Sequence, residues 1–167
     1  YFKNMPKNNF EGFYVGPDNK RSSVNIVLLS QTGIGLPEKG YYFRTDSSTL
    51  AIQKAYTKYL ATLLELTGDA AAAKNAEVAF GIEKQIATSH KTNIERRDVQ
   101  ANYNKLAVAD LAKRQPNIGW TSLLKDLGAP VDSVNMTQPA YYDQLNTLLK
   151  SVSITDWKIY LKAKSLN

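Results

Sequence analysis

The spacing of apolar and polar positions changes near residue 40. Before it, Phe10-Glu11-Gly12-Phe13-Tyr14-Val15 is aromatic and β-branched, Gly16-Pro17-Asp18-Asn19 is turn chemistry, and Val24 to Leu29 is a short apolar run of β formers. This pattern predicts a β-hairpin with a loop of several residues. An isolated hairpin is marginal in water, so it must pack on helices or join a sheet supplied elsewhere. Gly33-Ile34-Gly35-Leu36-Pro37 then interrupts regular structure. From about Ser48 to Leu66, the positions Ile52, Tyr56, Tyr59, Leu60, Leu63 and Leu64 recur at three- and four-residue spacing and predict an amphipathic helix. Its start is capped near Asp46 to Ser48, and Gly68 closes it. Asp69 caps a second helix, Ala70 to about Ser89, with Ala72, Ala76, Ala79, Ile82 and Ile86 as its stripe. Those small residues permit close approach, and the short interval between the two helices predicts an antiparallel helical hairpin.

A third helix is predicted over Ile94 to Leu106, carrying Val99, Tyr103 and Leu106, and a short one from Val108 to about Arg114, stopped before Pro116. Trp120 to Leu127 ends at Gly128, and Pro139 takes the first position of a helix running to about Val152. Ser153-Ile154-Thr155-Asp156 has the spacing of an N-terminal cap with an acid three residues on. The fold class is mainly α: a multi-helix lobe with antiparallel helical hairpins, preceded by a short N-terminal β-hairpin. Residues 1–40 form the hairpin and a glycine- and proline-containing connector, and residues 41–167 a helical lobe packed as one domain. The last helix has no written stop, and its Trp157, Tyr160 and Leu161 require neighbours, so the chain reads as a fragment of a longer protein.

Composition changes this picture little. The 167 residues suffice for one ordinary core, and 43% hydrophobic with 22% charged residues is the balance of a folded soluble domain. The longest apolar stretches, Val24 to Leu29 and Ala70 to Ala73, are far too short to span a bilayer. Tyr1 to Asn9 shows no basic segment followed by an apolar one, so no signal peptide is visible. The absence of cysteine removes disulfides, thiolate metal sites and cysteine nucleophiles together. A net charge of +6 raises the question of nucleic acid, but the 21 Lys and Arg are scattered, and the pairs Lys20-Arg21, Arg96-Arg97 and Lys113-Arg114 each lie near an acidic residue. No basic stripe forms, and nucleic acid is not an expected partner.

Candidate chemistry is sparse. A zinc peptidase needs two imidazoles one helical turn apart, a third ligand and a carboxylate to activate the bound water. The chain has one histidine, His90, at a helix end where the helix dipole accounts for it. Serine catalysis lacks a G-x-S-x-G elbow, and Gly33-Ile34-Gly35 lacks the third glycine and the Lys-Ser/Thr of phosphate loops. Glu95 and Asp98 read as solvated or ion-paired carboxylates. Arg96-Arg97 offers bidentate donors for a substrate carboxylate, but alternating signs over Glu95 to Asp98 fit local ion pairs at a helix start better. The ten tyrosines, including Tyr41-Tyr42 and Tyr141-Tyr142, offer apolar area with a polar tip and read as core and interface residues ahead of a peptide-binding surface. No catalytic, cofactor-binding or metal-ligating residue is assigned.

Several segments, in order, resemble the N-terminal region of the neprilysin and endothelin-converting-enzyme family, its bacterial members included. They are Gly12-Phe13-Tyr14-Val15-Gly16-Pro17-Asp18, Gly33-Ile34-Gly35-Leu36-Pro37-Glu38-Lys39-Gly40-Tyr41-Tyr42, Tyr59-Leu60 with Leu63 to Gly68, and Ile82 to Ala87. Glu95-Arg96-Arg97-Asp98, Tyr103 to Leu106, Pro139-Ala140-Tyr141 and Asp156 to Leu161 complete the run. Gly40 and Ala107 depart from the family pattern, where an acidic residue and a capping Ser or Thr are usual. The resemblance implies a two-lobed zinc metalloendopeptidase whose H-E-x-x-H helix and glutamate ligand lie after this chain. The chain would then belong to the non-catalytic helical lobe that restricts access to an internal cavity. Its partners would be the catalytic lobe of the same polypeptide and the oligopeptide substrates, with zinc held by the parent and none here. An extracytoplasmic location, periplasmic, secreted or lipid-anchored, follows from the same resemblance. The alternative is a free-standing helical protein-interaction module.

Overall fold

The computed structural model describes residues 12–167; Phe10 and Glu11 of the expected first strand, and Tyr1–Asn9, lie outside them. From Gly12 onward the β-rich segment pairs as expected: β1 (Gly12–Asp18) runs antiparallel to β2 (Arg21–Ser30), from Gly12 opposite Ser30 to Asp18 opposite Arg21. The connection is tighter than the predicted loop. A register shift between Pro17 and Asp18 turns the strand, and the Asp18 side chain accepts the Lys20 backbone N–H at 2.9 Å, so Asn19 and Lys20 alone make the turn. Pro17, which cannot donate to a ladder, is tolerated because β1 is an edge strand.

The hairpin does join a sheet, and this same chain supplies it. β3 (Lys105–Ala107) and β4 (Ser133–Met136) complete a four-stranded sheet of order β1-β2-β4-β3, with β4 parallel to β2 and antiparallel to β3. Ile26 to Leu29 and Val134 to Met136 are buried, as the central strands of a covered sheet must be. Asn135 is buried among them because its Oδ1 accepts the Asn104 N–H at 2.7 Å. The third predicted helix is overturned here. Ile94 to Leu106 holds only a 3-10 turn, Glu95–Arg97, before β3 begins. Side chains have taken the helical bonds: Asn102 donates to the carbonyls of Glu95 and Asp98, and Asp98 accepts the Ala101 N–H.

The other helices stand close to their predicted bounds: α2 (Ser47–Glu65), α3 (Ala72–Ala87), α4 (Val108–Arg114), α5 (Trp120–Asp126), α6 (Pro139–Ser151) and α7 (Ile154–Leu166), with an additional short α1 (Gly40–Phe43). The caps at Asp46, Ser153, Gly68 and Gly128 are those foreseen, whereas Asp69 does not cap α3: that helix begins after Ala71 with no side-chain cap, and Asp69 accepts the Ala71 N–H in the turn before it. Asp46 accepts the Thr49 N–H, Ser153 Oγ accepts the Asp156 N–H, and Gly68 and Gly128 take the left-handed conformation that ends a helix.

Contacts group the described residues into two compact units that interleave along the chain. The first takes the described residues through Thr32 together with Asn93–Ser151: the sheet with α4, α5 and α6, and a core containing Leu29, Leu111, Trp120, Val134 and Tyr142. Tyr142 packs its ring at a tilt against Trp120 and donates to the Ser30 carbonyl, fixing α6 to the end of β2. The second, Gly33–Thr92 and Val152–Asn167, is all helix and loop. Leu60 and Leu64 of α2 and Ala163 of α7 close on the alanine stripe Ala72, Ala76 and Ala79 of α3, while Tyr56 meets Phe80 and Glu83 farther along, as the antiparallel α2–α3 hairpin requires.

Candidate functional site

The most elaborate side-chain chemistry in the helical unit surrounds Glu83, which is 1% exposed. Its position explains the burial: residues 72, 76, 79, 83 and 86 share one face of α3, so a carboxylate stands where the stripe calls for an apolar side chain. Such a group persists only when its oxygens are satisfied. Oε2 accepts the Tyr42 hydroxyl at 2.6 Å and the Gly35 N–H at 3.1 Å, Oε1 accepts the Tyr56 hydroxyl at 3.0 Å, and the Lys164 ammonium lies 3.6 Å from Oε1. The Tyr42 hydroxyl in turn accepts the backbone N–H groups of Gly35 and Leu36 at 3.0 and 2.9 Å. Tyr160 secures the start of the same loop by donating to the Gly33 carbonyl at 2.6 Å. Gly35 is there for space: a Cβ would sit 1.8 Å from the Tyr56 hydroxyl oxygen.

This arrangement holds a loop. Burial, and then the negative charge of Glu83, push both Tyr42 and Tyr56 well above the ordinary tyrosine range, so the phenols stay protonated donors. With its oxygens committed to these donors and to Lys164, the carboxylate is a structural acceptor.

In the sheet unit the counterpart is Asp18, at the tip of the hairpin. Besides the Lys20 N–H it accepts the Tyr103 hydroxyl at 2.9 Å and pairs with the Lys105 ammonium at 3.1 Å, while Lys20 Nζ lies over the Tyr103 ring. The Lys20 N–H, outweighing burial, and then Tyr103 and Lys105 hold the Asp18 carboxyl below its usual value of 3.8. On α6, Asp143 receives the Arg114 guanidinium and the Gln115 amide.

The residues singled out from sequence are not brought together. His90 follows the end of α3, as predicted, and is buried, with its N–H on the Ala87 carbonyl. Gly33 and Gly35 form the loop held by Tyr160, Tyr42 and Glu83, so their reading as a turn stands. Glu95, Arg96, Arg97 and Asp98 are exposed on the 3-10 turn and its exit instead of at a helix start. Tyr42, Tyr141, Tyr142 and Tyr160 are core residues, whereas Tyr14 and Tyr59 are about half exposed. Among the described residues no three His, Cys, Asp or Glu side chains are grouped so as to hold a metal ion, and no helix is long and apolar enough to cross a membrane. The Glu83 centre was missed, although its signal was present: an acid at a stripe position of an alanine-lined helix demands buried donors.

Comparison with known proteins agrees with this fold. Among curated proteins the chain is 27% identical to human endothelin-converting enzyme 1 over 151 residues, and 29% identical to human endothelin-converting enzyme-like 1 over 143 residues. These alignments cover 85% and 82% of the chain but 19% and 18% of the relatives, so the chain spans about a fifth of their length. Among solved structures, the zinc metalloprotease Zmp1 of Mycobacterium tuberculosis in its open state superposes with a TM-score of 0.85 at 31% identity, covering 93% of this chain and 25% of that one. PepO from Lactobacillus rhamnosis shares the fold, with a TM-score of 0.79 at 20% identity over 93% of this chain and 25% of its own. The family model described as Peptidase family M13 matches residues 1–167 throughout, and on that match the chain belongs to peptidase family M13.

Proposed function

We propose that this chain is one segment of a longer zinc metalloendopeptidase, in which it forms part of the helical lobe that restricts access of substrates to the catalytic centre. The observation that carries the reading is the superposition on Zmp1, a zinc metalloprotease: nearly all of this chain aligns, and it accounts for a quarter of that protein. A rigid helical wall is what size exclusion of folded proteins and admission of oligopeptides require, and the capped helices fixed by buried polar ties at Glu83 suit that role. Zinc belongs to the parent in this reading. The residues present do not fit the metal, since a single imidazole, buried after α3, cannot supply a ligand set. The chain alone is therefore inactive as a peptidase. The parent acts outside the cytoplasm, as family resemblance implies.

The test has two parts. The encoding reading frame should continue beyond Asn167 into an H-E-x-x-H sequence. The parent should then cleave a fluorogenic oligopeptide in a chelator-sensitive way, while the 167-residue chain shows no cleavage and no stoichiometric zinc. Chelator-sensitive hydrolysis by this chain alone overturns the reading.

A further inference from the structure

The sequence holds one Asn-x-Ser/Thr triplet, Asn135-Met136-Thr137, the acceptor motif for an N-linked glycan. In a folded glycoprotein such a triplet ordinarily lies in a surface loop. Here it is the end of strand β4 and its exit, inside the sheet. Asn135 is 1% exposed and Met136 is completely buried. Asn135 stands opposite Leu28 of β2 on one side and Lys105 of β3 on the other, and its Oδ1 accepts the Asn104 N–H. The Thr137 N–H donates to the Leu29 carbonyl at 2.8 Å, and the Thr137 Oγ1 lies 2.9 Å from that same oxygen and 2.8 Å from Gln138 Oε1. The asparagine amide and the threonine hydroxyl, the two groups that make the motif, are both committed to holding β4 in place.

A glycan and this sheet therefore exclude each other. Interiors are close-packed, so an oligosaccharide on Asn135 has no volume to occupy, and moving the side chain out to accommodate one strips the Asn104 N–H of its acceptor. Before β4 is seated nothing shields the triplet. Seating is slow by its nature: β4 pairs in parallel with β2, Val134 opposite Val27, and contacts between residues so far apart in sequence form late. An interval exists in which the triplet is extended, polar and open.

We propose that Asn135 is an N-glycan acceptor in the unfolded chain alone, so that glycan transfer and the closure of β4 into the sheet compete for one residue. The donor is an oligosaccharide carried on a polyprenyl diphosphate. Asn135 Nδ2 forms a bond to C1 of the first sugar as the bond from C1 to the diphosphate oxygen breaks; the lipid diphosphate leaves with the electron pair, and the amide proton passes to a base of the transferase. A chain that folds first keeps Asn135 bare, and a chain modified first is barred from the sheet. The extracytoplasmic route proposed above supplies the natural occasion, but the competition needs only that an unfolded chain meets the transferase.

The test forces that meeting. The full reading frame, placed behind a cleavable signal sequence, is translated in the presence of glycosylating microsomes, and occupancy at Asn135 is read by mass spectrometry after N-glycosidase converts the modified asparagine to aspartate. The expected result is partial occupancy, with the modified fraction cut within the sheet unit by a protease that the bare fraction resists. Leu29→Ala, which weakens the seat of β4, should raise occupancy severalfold, and Leu64→Ala in the helical unit should raise it less. Folded protein purified from a non-glycosylating host should take no glycan from the same transferase and donor, whereas a synthetic peptide of residues 130–140 should take it. Glycan on the folded protein, a modified fraction as protease-resistant as the bare one, no gain with Leu29→Ala, or a peptide that accepts nothing overturns the proposal. Each of these outcomes leaves the peptidase reading standing, because that reading is decided by the sequence beyond Asn167 and by chelator-sensitive cleavage.

Discussion

Two closed-off carboxylates, Glu83 in the helical unit and Asp18 in the sheet unit, use the same kinds of partner, tyrosine hydroxyl, lysine ammonium and backbone N–H, to different effect. Glu83 sits in mid-helix against a core, and its partner Lys164 is itself largely buried. Asp18 closes a turn at a sheet margin, and its partner Lys105 is about half exposed. If Glu83 is lost, Tyr42, Tyr56 and Lys164 are stranded away from water. If Asp18 is lost, Lys105 relaxes into solvent. The same chemistry is therefore a keystone in one unit and a local fastening in the other, and burial of the partners sets the difference.

The largest expected effect tests that directly. Glu83→Ala should destabilise the helical unit by about 3 to 5 kcal/mol, the range for breaking a buried pair while leaving its partner charge in place. The two tryptophans make this measurable unit by unit, since Trp120 lies in the sheet unit and Trp157 in the helical unit. Denaturant unfolding followed by fluorescence in Trp120→Phe and Trp157→Phe backgrounds should show the shift at Trp157 first. A loss no greater than that of Asp18→Asn at neutral pH breaks the comparison.

Asp18 should instead reveal itself in acid. Its folded pKa lies below 3.8, so its contribution is complete above that value and is lost as the pH falls through the lower, folded one. Between about pH 5 and about pH 2, Asp18→Asn should flatten the decline of the Trp120-reported midpoint relative to wild type, with a smaller change at neutral pH. An unchanged acid slope would remove Asp18 from the account. Smallest of all, Ser153→Ala should cost about 1 kcal/mol, the ordinary value of a helix cap, because Ser153 touches neither carboxylate. A much larger loss would show that the start of α7 is coupled to Lys164 at its far end.

How much of this was legible beforehand follows the same division. The helices of the second unit announce themselves: α2 and α3 by unbroken stripes between Asp46 and Gly68 and between Asp69 and Ser89, α7 by Ser153 and Asp156. In the sheet unit the hairpin and α4 to α6 were legible, but the rest of the sheet hides. β3 and β4 are too short for a period to show, and each exists only because of its neighbours. The false helix at Ile94 to Leu106 had acceptable spacing, but nothing local indicated that the Asn102 amide would claim the carbonyls of Glu95 and Asp98. The Glu83 centre joins residues 35, 42, 56, 83 and 164, separations no window of sequence spans, and only the acid on the alanine stripe pointed to it.

The placement of β4 between β2 and β3 has a consequence for biosynthesis. Val27 pairs with Val134, so a ribosome must deliver more than a hundred further residues before the inner edge of the first hairpin finds its neighbour. Throughout that interval the growing chain carries an apolar strand, Ile26 to Leu29, with one side open to any other nascent chain. The α2–α3 pair meets its partner within a few residues of synthesis and collapses early. Both units therefore wait on late segments, the sheet for β4 and the helical unit for α7, and only the α2–α3 pair is made from neighbouring stretches of chain.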